Sequence, residues 1–428
     1  MRIIHFVTVS VLIAGLMMKV RGQESVSGLD QPGTFFPVLC WDPQSGWNNQ
    51  HEGRLNGLES IRDCYFTIAG FVHRRDLDRC EQLGLKALAF GDHDTVTMRQ
   101  WNDLWDDTTL TDRMIRKKIR RMVERNGDSK AVVGYYISDE PGASMYPRLA
   151  KAVEYVHKYA PGKLAYINLF PDYATVGAKD QSQLETDTYR AYLDRFATEV
   201  RPGLISYDNY MVQYSMDLTD STHAGSYFRN LLAVRETALE NGLPFWNIVS
   251  SNQIRPGKTI PSPANLLLQA YTTLAAGGRG VTWYTYYSRG YGYAPVDTLG
   301  RKTQTWYYLQ EVNRQLGILG PIMNRMKTTG VYFSDPAPTS GLPLLPGRLV
   351  RASASGSPLM LGEFRDHDGT DYLMVVNLSL ERSVSVAITL QNPDRKIQVI
   401  SSVDGRACEP DMEKGLWLVA GQGILLRL

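Results

Sequence analysis

The chain is poor in the residue types that usually announce a metal or a cofactor. It has 4 cysteines and 7 histidines in 428 residues. Cys40, Cys64, Cys80 and Cys408 show no metal-binding spacing. In an oxidising compartment Cys64 and Cys80 are candidates to pair; buried free thiols are the competing expectation, because Cys40 and Cys64 sit in or beside apolar strand patterns. No Gly-x-Gly-x-x-Gly follows the first strand-like segment, which argues against a dinucleotide-binding sheet. A serine hydrolase would need a Gly-x-Ser-x-Gly elbow, which is absent. The formal net charge is only +2 and the basic residues are scattered, so nothing favours nucleic acid as a partner. Long apolar runs are missing too, except at the start. Ile3 to Met18 is largely apolar and is flanked by Arg2 and by Lys19–Gly22. It is short for a membrane span, so residues 1–22 read as a signal peptide. The expected mature chain begins near Gln23, has no membrane span, and is secreted or periplasmic.

What the chain does have is regular alternation. Strand-like runs at Phe35–Trp41, Cys64–Phe71, Lys86–Phe90, Val132–Ser138, Leu164–Phe170, Leu204–Tyr210, Pro244–Val249 and Gly280–Tyr286 are separated by longer amphipathic stretches. Helices are expected at Met145–Tyr159, Tyr189–Val200, Ser226–Asn241 and Ala264–Ala276. Eight βα units in about 300 residues fit a closed (β/α)8 TIM barrel better than an open sheet. After a helical stretch at Thr303–Met326 the texture changes to short strands separated by Gly, Asp, Asn and Pro. The expectation is an α/β chain with a barrel over 23–327 and a small antiparallel β-sandwich over 328–428.

The fourth run carries the sharpest signal. Ala131-Val-Val-Gly-Tyr-Tyr-Ile-Ser-Asp139-Glu140-Pro141 is an apolar strand that ends in two adjacent carboxylates and is stopped by proline. In barrel enzymes, catalytic groups sit at such carboxyl ends. The other strand ends supply Trp41 and Asp42, Asp92-His93-Asp94, Asn168 with Asp172 and Tyr173, Tyr207-Asp208-Asn209-Tyr210, Asn247 to Gln253, and Trp283, Tyr284, Tyr286 and Tyr287. Carboxylates, amides and aromatic rings on one face suit a polyhydroxylated ligand. Trp41, Asp42, His93, Asn168, Tyr207, Tyr210, Gln253, Trp283 and Tyr286 are therefore candidate carbohydrate-binding residues. Only His93 of the 7 histidines falls at a strand end, so Asp92-His93-Asp94 reads as a polar loop before it reads as a metal site. No cofactor is expected. Ala275-Ala-Gly-Gly-Arg-Gly280 precedes the eighth strand and reads as a tight helix-to-strand turn.

Glycoside hydrolysis needs one protonated carboxyl for the leaving oxygen and, in most enzymes, a second carboxylate as nucleophile or base. Glu140 is the candidate acid, Asp208 the candidate second carboxylate, and Asp139 either raises the pKa of Glu140 or binds substrate.

On these residues the chain resembles the clan of retaining glycoside hydrolases that includes the family 42 β-galactosidases and the family 5 glycanases. It also resembles a group of secreted bacterial barrel proteins sharing the blocks found here at Asp139–Pro141, Tyr166–Pro171 and Ser206–Tyr210. The clan's acid/base is the Glu of an Asn-Glu pair, so the resemblance assigns that role to Glu140, with Asp139 in place of the Asn. The clan's nucleophile is a Glu ending the seventh strand. This chain has Trp246-Asn-Ile-Val-Ser-Ser-Asn-Gln253 there, with no Glu. Three mechanisms stay open: inversion through a water between Glu140 and Asp208, retention with an Asp nucleophile, or substrate assistance using Asp139 and Glu140. The alternative from another class is a non-catalytic carbohydrate-binding or scaffold protein on a hydrolase-like barrel.

Overall fold

A computed structural model describes residues 35–42, 57–411 and 413–428; the signal-peptide expectation for residues 1–22 lies outside the described residues. Eight parallel strands close in sequence order into a barrel. They are β1 (Val38–Trp41), β2 (Ile68–Val72), β3 (Lys86–Ala89), β4 (Val132–Asp139), β5 (Leu164–Leu169), β6 (Ile205–Asp208), β7 (Phe245–Ser250) and β8 (Gly280–Tyr284). Strand β8 pairs back onto β1 through Val38–Val281 and Cys40–Trp283. The helices are α1 (Leu58–Asp63), α2 (Arg74–Leu83), α3 (Met98–Asp106), α4 (Asp112–Asn126), α5 (Tyr146–Tyr159), α6 (Tyr189–Arg195), α7 (Ala224–Glu240), α8 (Pro263–Ala275) and α9 (Gln304–Met323). Several starts are written in the sequence. The side chains of Thr97, Thr111, Thr188 and Ser262 each accept a first-turn backbone N–H, and Gln100 completes a capping box with Thr97. Helix α6 ends earlier than the expected 189–200 stretch, because its last turn, Phe196–Val200, widens to a π-helix.

Aromatic rings fill the barrel interior. Trp41 packs edge-on against Phe71 at 4.9 Å, Phe71 meets Tyr136 at 4.5 Å, and Tyr166 meets Trp246 at 5.8 Å. The lumen is therefore a packed core, and whatever sits above it loses water on one side.

The chain then forms antiparallel strands: β9 (Met326–Phe333), β10 (Val350–Ser353), β11 (Leu359–Asp366), β12 (Asp371–Asn377), β13 (Val384–Ser385), β14 (Ile388–Leu390), β15 (Gln398–Ile400), β16 (Ala407–Cys408), β17 (Trp417–Leu418) and β18 (Gly423–Arg427). Six of them make one sheet in the order β16-β15-β18-β12-β11-β9, while β10–β14 and β13–β17 form two short ribbons. The period of two along each strand serves two cores. Met360, Phe364, Met374, Val376 and Leu425 join the barrel's core, whereas Leu361, Leu373, Val375 and Leu426 pack with Val350, Val384, Leu390 and Leu418 beneath the ribbons. The sheet lies directly on α8. A Cβ added at Gly362 would fall 2.1 Å from the Ala275 carbonyl oxygen, so only glycine permits that approach. The expected turn after Ala275 is present, with Gly277 at φ +85°.

All four cysteines are free: Cys40, Cys64 and Cys80 are buried and Cys408 is exposed. The Cys64–Cys80 pairing is not formed, and burial pushes both thiols up. Among the described residues no helix is long and apolar enough to cross a membrane.

Candidate active site

A bulge in β4 builds the site. Tyr136 pairs with Tyr166 of β5 and Asp139 pairs with Asn168, so three residues of β4 span what two residues of β5 span. Strict alternation would send one of Tyr136 and Asp139 out of the barrel. The extra residue keeps both inward, Tyr136 in the aromatic floor and Asp139 above it. Glu140 then adopts φ 47°, a left-handed conformation uncommon for a side chain of its size, and its N–H donates to the Asn168 carbonyl at 2.9 Å.

Asn168 is the hub. Its Nδ2 donates to Asp139 Oδ1 at 3.0 Å and to Asp208 Oδ1 at 3.1 Å, while its Oδ1 accepts from Ser206 Oγ at 3.2 Å. Ser206 is fixed in turn by the Tyr166 hydroxyl at 2.8 Å. Asp208 takes further hydrogen bonds from the Tyr210 hydroxyl and from Glu140. Glu140 and Asp208 thus lie side by side, each bearing on the other's proton affinity.

Two carboxyls in contact hold a proton between them. Burial pushes Glu140 far above the usual carboxylate range, and the charges of Asp208 and Asp139 push it further. Asp208 is also raised, by burial and then by Asp139, but the hydrogen bonds from Asn168, Tyr210 and Glu140 hold it back. Asp139 is raised by burial, against the Asn168 amide and the charge of Arg289. The proton therefore belongs on Glu140, with Asp208 accepting it. Chemically the arrangement is a carboxylic acid kept neutral near pH 7 beside two carboxyls that ionise before it, which is what proton donation to a leaving oxygen needs.

The other candidates divide by strand parity. Trp41 belongs to the aromatic floor. Asp42 is wholly buried and braces the loop after β8: its Oδ2 accepts from the backbone N–H of Tyr286 at 2.6 Å and Tyr287 at 2.8 Å, and Arg289 lies 3.5 Å from its Oδ1. Tyr210 stacks on Tyr284 at 5.1 Å, and Tyr284 shares a hydroxyl contact of 2.8 Å with Tyr291. Gln253 joins two loops of the mouth, with its N–H on the Gly292 carbonyl and its Nε2 on the Lys258 carbonyl.

Three expected binding residues face away from the mouth. Tyr207 lies between the inward Ser206 and Asp208, so it turns outward to the helical layer beside Tyr227 and Tyr189. Trp283 is likewise outward, with its Nε1 donating to Asn313 of α9 at 2.8 Å. The Tyr286 hydroxyl bonds Ser60 and Trp306 under α1 and α9. His93 stays on the exposed loop after β3 and contacts Thr95 at 3.0 Å. Its neighbours are charge-paired, Asp92 with Lys118 and Asp94 with Arg125, so the loop is polar and internally neutralised. Reading strand ends missed Arg289, Ser206 and Tyr291. Ser206 was legible from parity with Asp208; Arg289 and Tyr291 lie within a long loop that gives no periodic signal.

The end of β7 has no carboxylate. Gln269 of α8 accepts the Ser250 N–H at 2.9 Å and donates to the Ser250 carbonyl at 3.0 Å, and Asn252 donates to Thr285 at 3.2 Å. These groups bond within the protein, while Asn247 Oδ1 and Asn252 Oδ1 are buried without a hydrogen-bond partner.

No family model matches the sequence, and no curated protein sequence matches it significantly. Solved structures of glycoside hydrolases do match the fold. A catalytic mutant of a GH42 β-galactosidase from G. stearothermophilus aligns with TM-score 0.57 at 9% identity, covering 92% of this chain and 98% of that one. A family 39 glycoside hydrolase from Bacteroides cellulosilyticus WH2 aligns with TM-score 0.48 at 12% identity, covering 94% and 81%. A β-galactosidase from the psychrophilic Marinomonas ef1 gives TM-score 0.46 at 9% identity; the alignment covers 66% of this chain but spans only 60% of that enzyme. In fold, the chain is a glycosidase-like (β/α)8 barrel protein.

Proposed function

We propose that the protein is a secreted or periplasmic glycoside hydrolase that cleaves O-glycosidic bonds of a poly- or oligosaccharide, with Glu140 as general acid. The observation that carries this reading is the cluster of Asp139, Glu140 and Asp208 at the carboxyl ends of two barrel strands, gathered by one Asn168 amide, in which burial and mutual charge favour a proton on Glu140. A binding protein has no need of a neutral acid among carboxylates, whereas cleavage of an acetal with a poor leaving group does. Glu140 gives its proton to the glycosidic oxygen as the C1–O bond breaks. Asp208 and Asp139, now facing an ionised Glu140, stabilise the positive charge that develops on the ring. Tyr210 and Tyr284 supply flat surfaces beside the acids.

The rival reading, a carbohydrate-binding protein on a hydrolase-like barrel, draws on the carboxylate-free end of β7. One comparison separates them. Wild type and Glu140→Gln are assayed for turnover and for binding on the same glycan panel. Turnover lost with binding kept supports the hydrolase; binding without turnover by the wild type supports the rival.

A further inference from the structure

The three clustered carboxyls leave a question of geometry: what attacks the sugar carbon from the side opposite Glu140? Asp208 is held together with Asp139 on the Asn168 amide, next to Glu140, and so shares its side. Among the described residues the other acids near the mouth are placed apart from this cluster. Asp42 is enclosed by two backbone amides and Arg289, and Asp92 is paired with Lys118. Asp172, whose Oδ1 is buried without a hydrogen-bond partner, lies by the outward-facing Tyr189 and Tyr207. The end of β7 offers serine and amide groups and no carboxylate.

We propose that the nucleophile comes from the substrate, and that the substrate is a glycoside of a 2-acylamino sugar whose amide N–H is received by Asp139. This rests on the hydrolase reading above. Asn168 fixes Asp139 through Oδ1 alone and leaves Oδ2 for a ligand donor. Adjacent chain positions put Asp139 and Glu140 at neighbouring points over one sugar, as a 2-substituent and a leaving oxygen on C1 require. The step balances without an outside reagent. The Glu140 proton passes to the leaving oxygen as its bond to C1 breaks, and the acyl oxygen bonds to C1 to close a five-membered ring. Asp139 takes up the positive charge at the amide N–H. Water then adds to C1 and returns a proton to Glu140, the ring opens, and the amide is restored.

The test compares 4-methylumbelliferyl glycosides of 2-acetamido-2-deoxy sugars with their 2-hydroxy counterparts, in both gluco and galacto series and both anomers. It then follows the N-acetyl, N-fluoroacetyl and N-trifluoroacetyl series on the best substrate. The expected result is turnover favouring the 2-acetamido sugar by on the order of 10²-fold or more, falling stepwise as fluorine weakens the attacking carbonyl. Asp139→Asn should lose that preference. Equal or faster turnover of the 2-hydroxy glycosides, or a rate that ignores fluorination, overturns the proposal; if Glu140→Gln still abolishes that turnover, the hydrolase reading survives. No turnover of any glycoside by the wild type overturns both.

Discussion

At the mouth of the barrel one Asn168 amide holds both Asp208 and Asp139, at 3.1 and 3.0 Å, and sets them beside Glu140. The acid is therefore defined by its neighbours as much as by its own position. Replacing Asp208 with Asn removes one of the charges that hold the Glu140 proton. The alkaline limb of the pH–rate profile should then move toward lower pH, measured as kcat/KM across the profile. An unmoved limb would mean that Asp208 does not act on Glu140.

The same cluster costs stability. All three carboxyls are raised, so the folded chain holds more protons than the unfolded chain above the ordinary carboxylate range, and stability falls as pH rises. Asp208→Asn should stabilise the fold by about 1–3 kcal/mol near pH 8 and by much less near pH 4. Thermal unfolding of wild type and variant at the two pH values checks the sign. A gain that is independent of pH would contradict it.

Asp42 is expected to be a structural acid. Asp42→Ala leaves the Tyr286 and Tyr287 amides without their acceptor in a buried place, at a cost of about 2–4 kcal/mol. Denaturant unfolding measures this, and a change below about 0.5 kcal/mol would rule the brace out.

In the C-terminal sheet, burial raises the Asp371 carboxyl, but hydrogen bonds from Arg348, Arg365 and Arg395 outweigh it and hold the group well below its usual value of 3.8. The stability it contributes is present above that value and is lost as pH falls below it. Asp371→Asn should therefore weaken the fold at pH 7 and narrow its difference from wild type in acid. Urea midpoints at pH 7 and pH 3 test this.

The barrel was legible because buried parallel strands write continuous apolar runs that survive a boundary error of one or two residues. The same runs conceal which face a residue takes. Tyr207, Trp283 and Tyr286 sit at strand ends in sequence, yet their side chains serve the helical layer. Asp139 faces inward only because a bulge shifts it, and nothing in the apolar run announces that extra residue. Asn168 was legible because it lies two residues beyond Tyr166 on a regular strand. A simple contrast follows: Tyr207→Phe should leave turnover within about 2-fold of wild type, whereas Asn168→Ala should reduce it by at least an order of magnitude.

If Glu140 is the proton donor, its removal must matter in proportion to how much help the leaving group needs. Glu140→Gln is assayed on paired glycosides of one sugar, with a natural sugar alcohol or with dinitrophenolate as leaving group. Turnover of the natural linkage should fall by about 10²–10⁴-fold, with a much smaller loss on the dinitrophenyl glycoside, whose departure needs no acid. Equal losses on both substrates, or near-wild-type turnover of the natural linkage, would contradict that role for Glu140.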